Sequence, residues 1–346
     1  MAYTTINKST DHFNTKLYTG NDGANAITGV GFQPDWVWLK PRNYADHHRL
    51  MDAVRGQYTI YSNRDVGQDG NSSHFTSFDS DGFTLAGSDG GWNSSSYNYV
   101  SWNWKAGTGQ GSSNTDGSIN TTYTSVNTTA GISISSYTGT GATATVGHGL
   151  GVAPKVVLIK GTSNTGSWGM YHSSIGETKK IILNSNAAEA SSGWMNNTAP
   201  TSSVFTVIND ADVGSNGYTY VAYCFAEKPG FSKFGKYVGN SLADGAFVYT
   251  GFKPAFVMLK YVSPTSGVGN WGMHDGVRDV DNPVQKGLIA NGSAVEDTHD
   301  FMDIVSNGFK LRSTSSNRNE SGSTYIYMAF AEAPLVGTNN VPATAR

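Results

Sequence analysis

Two acidic side chains lie close enough together to suggest chemistry. Asp79 and Asp81 stand in the segment "FDSDGF". Oxygen ligands at short intervals are typical of a calcium loop, and paired carboxylates carry out glycoside hydrolysis. An Asp-Gly step is also a common hairpin turn. A related segment, "DIVSNGFKL" at 303–311, keeps the turn as Asn307-Gly308 without the acids. The sequence therefore favours a turn over a site.

The eight histidines form no HExxH motif and no paired His/Cys spacing. His47-His48 is a metal site in one interpretation and a plain turn in the favoured one. Three related segments contain Met51, Met170 and Met273, and aligning these methionines leaves no histidine position in common. We therefore predict no metal, no cofactor and no catalytic residue, and a protein that is not an enzyme.

Aromatic and glycine-rich segments offer two further candidates. Trp92, Tyr97 and Trp194 lie in Asn/Gly-rich stretches, where they could stack on sugars or simply cap a sandwich edge. The glycines that follow, Gly107, Gly109 and Gly111, superficially resemble a phosphate loop, but no strand–helix context or P-loop lysine accompanies them. A linker is the better interpretation of these glycines, and the binding residues stay unknown.

The chain contains three copies of one pattern. "GFQPDWVWLK" (31–40) recurs as "GVAPKVVLIK" (151–160) and "GFKPAFVMLK" (251–260). Each is preceded by a Tyr-x-Gly and followed by a Tyr-containing segment. These flanking landmarks are Tyr18-Thr19-Gly20, Tyr137-Thr138-Gly139 and Tyr237-Val238-Gly239 upstream, and "NYVSWNWKA" (98–106), "TYVAYCFAE" (219–227) and "TYIYMAFAE" (324–332) downstream. Ordered landmarks at matched spacing indicate an internal repeat.

The repeated ten-residue motif predicts a strand buried on both faces. Its residues after the proline are apolar in both alternating sets, the glycine suits a turn of positive φ, and the proline suits a strand start. The next position varies as Asp35, Lys155 and Ala255, so we expect it to face solvent. The closing Lys40, Lys160 and Lys260 are expected to reach water past their apolar stems. Cys224, in the last segment, is interpreted as a small packing residue.

Composition supports an all-β protein and excludes several partners. Of 346 residues, 14% are charged and the net charge is −3, so no basic field for nucleic acid exists. Glycine (42), tyrosine (18) and tryptophan (8) are abundant, as in chains of many hairpins. The single cysteine allows no internal disulfide. Neither a signal peptide nor a membrane-inserting segment is predicted, so synthesis in a cytoplasm is expected.

The predicted organisation is three tandem related β-sandwich domains, of the jelly-roll or concanavalin-like kind, with short extended termini. We predict an N-terminal arm (1–17), copy 1 (18–108), a linker (109–130), copy 2 (131–228), copy 3 (229–334) and a C-terminal arm (335–346). The linker is Gly/Ser/Thr/Asn-rich and holds a candidate edge strand in "INTTYTSV". Copies of about 100 residues match the size of one sandwich.

These residues resemble a known kind of repeat. "YTGN…GFQPDWVWLKPR…HRLMDAVRG…FDSDGFTL…YVSWNWKAG" is similar to a unit of virion proteins from tailed, especially marine, bacteriophages, which are often labelled tail-fibre or receptor-binding proteins. The similarity is closest over 18–107 and looser in the later copies. It implies a sandwich fold for each copy and a place in the virion, and it carries no catalytic residue with it.

The expected function is that of a non-enzymatic phage structural protein, most simply a tail-fibre or receptor-binding component. Its expected partners are itself in a homotrimer, other tail or capsid proteins, and a glycan of the host surface. A head-decoration protein or fibre adaptor that docks by its terminal arms is an alternative, since the chain lacks a long fibrous shaft. A depolymerase of surface glycans is a third hypothesis.

Overall fold

The protein is described by a computed structural model covering residues 4–70, 73–263 and 269–336. Within these ranges the regular secondary structure is almost entirely antiparallel β-strand. Its helical parts are a 3₁₀ turn (Ser9–Asp11) and the short helix α1 (Ser316–Asn319). No helix in the described ranges is long and apolar enough to cross a membrane. The all-β fold predicted from composition is confirmed.

The strands fall into three sets that follow the three copies. Copy 1 contains β1 (Phe13–Thr19), β2 (Asn25–Ile27), β3 (Trp36–Pro41), β4 (Arg49–Asp52), β5 (Gly56–Ile60), β6 (Phe75–Asp79), β7 (Gly82–Leu85) and β8 (Asn98–Trp104). Copy 2 contains β9 (Tyr123–Asn127), β10 (Ile132–Thr138), β11 (Ala144–Gly147), β12 (Val156–Gly161), β13 (Gly169–His172), β14 (Lys179–Ile182), β15 (Ala190–Ser191), β16 (Val204–Val207) and β17 (Thr219–Phe225). Copy 3 contains β18 (Ser232–Val238), β19 (Phe247–Tyr249), β20 (Phe252–Ser263), β21 (Trp271–Asp275), β22 (Val284–Ile289), β23 (Asp297–Val305), β24 (Gly308–Leu311) and β25 (Thr324–Pro334).

Each set uses the same strand order in its main sheet. Copy 1 has the order β1-β8-β3-β4-β5, copy 2 contains β10-β17-β12-β13-β14, and copy 3 contains β18-β25-β20-β21-β22. Copies 1 and 2 each have a smaller separate sheet, β2-β7-β6 or β11-β16, whereas in copy 3 the strands β23-β24-β19 continue the main sheet because β23 pairs with β22. The two-residue turns after Asp79 and Val305 join adjacent strands, as the sequence predicts.

The repeated motif forms the central strand of each main sheet, buried on both faces as predicted. The glycines before it, Gly31, Gly151 and Gly251, have φ of 90°, 71° and 83°, so each occupies the left-handed region that favours glycine. One face of the strand packs inside its own copy; in copy 1, Val37 and Leu39 lie on this face. The other face packs against the other two copies.

That second face builds a core shared by all three copies. It is formed by large buried side chains from the central strand and its neighbour in each copy: Trp36, Trp38, Trp102, Trp104, Val156, Leu158, Tyr223, Phe225, Phe256, Met258, Met328 and Phe330. Aromatic pairs cross every boundary between copies: Trp36 with Tyr223 (ring centroids 4.6 Å apart), Phe225 with Phe330 (5.8 Å) and Trp102 with Phe256 (5.6 Å). Copies 1, 2 and 3 therefore close into a ring.

Backbone hydrogen bonds repeat at the three seams of the ring. The N–H of Gln68 donates to Thr162 O (2.8 Å), that of Glu189 to Val262 O (2.9 Å) and that of Glu296 to Arg42 O (2.8 Å). The acceptors each lie two residues after a closing lysine of the motif. Each seam also has a ring N–H donor: Trp168 Nε1 to Tyr61 O, Trp271 Nε1 to Ile182 O, and His48 Nε2 to Ile289 O.

The Tyr-x-Gly segment holds a loop in place within each copy. Its tyrosine stacks on the tyrosine directly opposite in the last strand, in the pairs Tyr18–Tyr99, Tyr137–Tyr220 and Tyr237–Tyr325. Its glycine touches the loop before that strand: a Cβ would lie 2.2–2.4 Å from the carbonyl oxygen of Ser94, Ser215 or Glu320. Only glycine fits such a backbone approach.

The terminal regions and the linker are more integrated than predicted. The prediction of an N-terminal arm is wrong for residues 4–17, because Thr4 and Ile6 are buried and β1 begins at Phe13. The edge strand predicted within the linker is confirmed as β9, which pairs with β10. The predicted C-terminal arm lies, from residue 337 onward, outside the described residues.

The glycine contact predicts a specific loss of stability. Gly20→Ala would drive a Cβ into Ser94 O, so we expect the free energy of unfolding to fall by about 1–3 kcal/mol. Gly23→Ala is the matched control, since its Cβ would meet no atom closer than 3.9 Å. Urea unfolding measures both. Equal midpoints for the two variants would contradict the proposed role of Gly20.

Candidate functional site

The acidic pair is used in turns. Asp79 accepts hydrogen bonds from the hydroxyls of Ser77 and Thr84 (2.7 and 2.6 Å). Asp81 accepts from the backbone N–H groups of Gly29 and Gly31 (2.9 and 2.6 Å), which hold the pKa of this exposed carboxyl below its usual range. Asp79 thus binds hydroxyls of its own hairpin and Asp81 binds the loop at Gly29 and Gly31. The two-residue turn that pairs Asp79 with Gly82 confirms the interpretation as a hairpin turn.

The closing lysines are buried, and the prediction that they reach water is wrong. Lys40, Lys160 and Lys260 are each 0% exposed. Their ammonium groups end among backbone carbonyls: Pro41 O for Lys40; Gly161 O, Gly166 O and Asp65 O for Lys160; Asn186 O and Gly269 O for Lys260. Asp65 belongs to copy 1 and Asn186 to copy 2, so two of these lysines tie neighbouring copies together.

Burial disfavours the charged form of these lysines. It lowers the pKa of Lys40 and Lys160 to about 8 and that of Lys260 to about 7. The carbonyl oxygens around each Nζ compensate for the lost hydration. With no exposed surface these amines have no access to a substrate, and their role is to join loops.

The position after the motif proline does not face solvent uniformly. Lys155 is exposed, as expected, and Ala255 is half-buried, but Asp35 is 0% exposed. Its carboxylate accepts from the N–H groups of Thr108 and Gly109 (3.0 and 2.6 Å). Burial raises the pKa of this carboxyl, an effect that those hydrogen bonds oppose. The glycine-rich segment is therefore fixed to copy 1 by Asp35.

Four of the histidines and the cysteine are buried: His48, His148, His172, His274 and Cys224. No set of three His, Cys, Asp or Glu side chains within the described ranges could hold a metal ion. His48 accepts from Trp38 Nε1 at Nδ1, which places its proton on Nε2, the donor to Ile289 O. Cys224 is fully buried, which raises the pKa of its thiol and confirms the packing interpretation.

Strand pairing corrects the alignment of the three methionine segments. Val37 lies opposite Met51, Val157 opposite Tyr171 and Val257 opposite His274. The true equivalents are therefore Met51, Tyr171 and His274, one residue out of step with the alignment on Met51, Met170 and Met273. The following position holds Asp52, His172 and Asp275, all completely buried at the seams.

These three residues bind the next copy around the ring. Tyr223 donates to Asp52 (2.6 Å) and Trp102 Nε1 to Asp275 (3.0 Å). His172 Nε2 lies 3.3 Å from Tyr327 O. At the position equivalent to Trp102 and Tyr223, copy 3 has Met328, which offers no N–H or O–H donor.

The buried ion pair beside each seam is present only where the neighbouring copy supplies a hydrogen-bond donor. Asp52 and Asp275 each pair with an arginine three residues later, Arg55 and Arg278. His172 has Ile175 at that position. Where the neighbour supplies no donor, the ion pair is replaced by a neutral imidazole and an alkyl group. A buried carboxylate without such partners would be costly.

The loop aromatics lie in the interior or stack on each other. Trp92 is 4% exposed and Trp194 is 1% exposed, so both cap their own copies and neither presents a face to a sugar. Tyr97 stacks on the exposed Tyr44 with ring centroids 4.4 Å apart. The sugar-stacking interpretation is wrong for the two tryptophans.

The surface clefts lie mainly where copies or layers meet. One of about 280 Å³ lies at the copy 1–copy 2 seam and includes Tyr58, Gln68 and Thr162. One of about 330 Å³ lies at the copy 3–copy 1 seam and includes Arg42 and Glu296, the equivalents of Thr162 and Gln68. A larger cleft of about 530 Å³ lies within copy 3. Their loop residues are distant in sequence, and sequence reasoning did not find them.

Comparison with known proteins defines the family but not its activity. A family model described as a domain of unknown function, DUF7483, matches residues 8–334, so the chain belongs to that family. No curated protein matches the sequence significantly, and no solved structure does. The match spans all three copies, consistent with one ring whose parts share a core.

Removal of one seam arginine should be strongly destabilising. Arg278 and Asp275 are each fully buried, with 2.6 Å between Nε and Oδ2. Arg278→Leu would leave the carboxylate without its cation, and we expect a loss of about 3–5 kcal/mol in the free energy of unfolding. Lys8→Ala, which breaks the exposed Lys8–Asp11 pair, should cost less than about 1 kcal/mol. Chemical unfolding measures the free energy of both variants. Similar losses in Arg278→Leu and Lys8→Ala would contradict a stabilising role of the seam ion pair.

Acid should destabilise the ring through His172. Burial lowers the pKa of His172 to about 4, whereas in an unfolded chain a histidine titrates near 6.5. Between these values the unfolded state binds more protons, so stability falls as pH falls, by roughly 3 kcal/mol in total. In His172→Gln, the free energy of unfolding should depend less steeply on pH below about 6.5. His299→Gln, at an exposed histidine, is the control; an unchanged pH dependence in His172→Gln would refute the assignment.

Proposed function

We propose that this chain is a non-enzymatic structural protein of a tailed-phage particle, and specifically a tail-fibre or receptor-binding component that contacts the host surface. The observation that carries the proposal is the ring itself. Three copies bury one face of their main sheets against each other and leave loops and clefts of differing lining outside. Rigid scaffolds with variable loops are typical of binding proteins.

The resemblance of the repeated segments to phage virion proteins supports the same proposal. The acidic pair that would suit a depolymerase is engaged with turn backbone and hydroxyl groups. The alternative is a decoration protein or adaptor that docks by its terminal arms. It has less support, because residues 4–17 are part of the fold and do not form a free arm. The ring closes within one chain, so a homotrimer would assemble through surfaces other than the shared core.

The proposal is tested on cells and on particles. Purified protein should bind the host bacterium and reduce adsorption of the phage that carries it, whereas a strain to which that phage does not adsorb should show no binding. Antibody-labelled electron microscopy should place the chain on the tail. Label on the head would favour the decoration protein, and failure both to bind cells and to block adsorption would remove receptor binding.

A further inference from the structure

The cleft within copy 3 has the features of a ligand site. It encloses about 530 Å³, within the size range of small-molecule sites. Its lining includes Asp297, His299 and Asp300 from the first half of β23, and Arg312 and Arg318 from the segment after β24. Charges of both signs thus face one space.

The equivalent space in copy 1 is a smaller cleft of about 320 Å³, which Asp69, Tyr61 and Trp92 line. Strand pairing places Arg49, Gly169 and Gly272 at the same position. In copy 1, the Arg49 guanidinium lies over the Trp92 ring, 5.1 Å from its centroid. In copy 2, the ring of Trp194 occupies the space, because a Cβ on Gly169 would lie 2.7 Å from it. In copy 3, His274 and Arg318 lie beside Gly272, 3.2 and 3.5 Å from where its Cβ would be, and Arg318 lines the cleft.

Two polar groups of the copy 3 cleft have no partner within the described residues. They are Asp297 Oδ1 and Arg318 Nη2, both buried. Asp297 pairs with Gly287 in the sheet as Asp69 pairs with Thr59 in copy 1. Asp69, however, accepts a hydrogen bond from Tyr61. The position of Tyr61 is Ile289 in copy 3, which cannot donate.

Among the residues that the structure describes, Arg318 also lacks the carboxylate partner that the buried Arg49 has in copy 1. Arg49 is paired with Asp46, 3.0 Å away, and Asp89 lies at 3.7 Å. Arg318 is 5% exposed and stacks on the Phe301 ring, with 4.0 Å between its guanidinium carbon and the ring centroid. Its Nε donates to His274, and no carboxylate of the described chain forms an ion pair with it. A buried guanidinium and a carboxylate oxygen left unpaired are each costly.

The balance of charges selects the chemistry of the ligand. Two carboxylates and two guanidinium groups cancel, so the cleft has no net charge to attract an anion or cation. Hydroxyl and amide groups of Ser313, Thr314 and Asn317 complete the lining. A sugar hydroxyl can donate to a carboxylate and accept from a guanidinium at once. We propose that the copy 3 cleft binds a neutral saccharide unit; its biological role rests on the proposed function.

The test uses the full chain and defined probes. Saturation-transfer difference NMR is recorded with the methyl glycosides of glucose, galactose, mannose and N-acetylglucosamine. At least one should receive saturation from the protein. Asp297→Asn removes the charge while preserving shape, and it should weaken that binding about tenfold or more. Asp69→Asn, at the equivalent position of copy 1, where Tyr61 already donates to the carboxylate, should leave the affinity within about twofold.

The outcomes separate this inference from the proposed function. If no glycoside receives saturation, or if Asp297→Asn binds as well as the natural chain, the saccharide site is overturned, while adsorption blocking by the protein would leave receptor binding intact. Saccharide binding lost in Asp297→Asn without any host-cell binding would support the site and remove the receptor role. Thermal unfolding of both variants, expected to be unchanged, excludes loss of fold as the cause.

Discussion

The structure depends on strands that are apolar on both faces. A strand of this kind must be covered twice, and one sandwich covers it only once. In this chain the second cover comes from the other two copies, through tryptophan, tyrosine and phenylalanine side chains that meet across every seam. Burying each such side chain contributes about 1.5–3 kcal/mol. The shared core therefore supplies a large part of what holds the copies together.

Polar groups at the seams give this apolar core a fixed arrangement. Backbone hydrogen bonds and ring N–H donors recur at equivalent places, so the copies meet in one orientation. The contrast between Asp275 with Arg278 and His172 with Ile175 shows how strictly the interior is matched. Asp275 accepts a hydrogen bond from the Trp102 ring N–H opposite it. His172 instead faces the backbone carbonyl of Tyr327, beside Met328, which has no side-chain donor.

Much of the fold was predictable from sequence because the repeats sample one pattern three times. Period-two alternation, Gly-x-x-Pro and Tyr-x-Gly located the central strands, their turns and the stacked tyrosines. The lysine prediction failed because a sequence does not show which loop will fold over a strand end; Lys160 is covered partly by Asp65 of another copy. Asp35 was misplaced for the same reason. The clefts were missed because their walls come from segments far apart in sequence, which only the folded chain brings together.

Sharing one core among three copies also determines how the molecule responds to perturbation. Detaching any one copy would uncover the inner faces of both others, since Trp36, Phe225 and Phe256 each contact a second copy. An intermediate with one copy unfolded and two intact would expose this apolar surface to water. We therefore expect the ring to unfold as a single cooperative unit. Unlike an array of independent modules, it gives a surface loop of any one copy the support of all three.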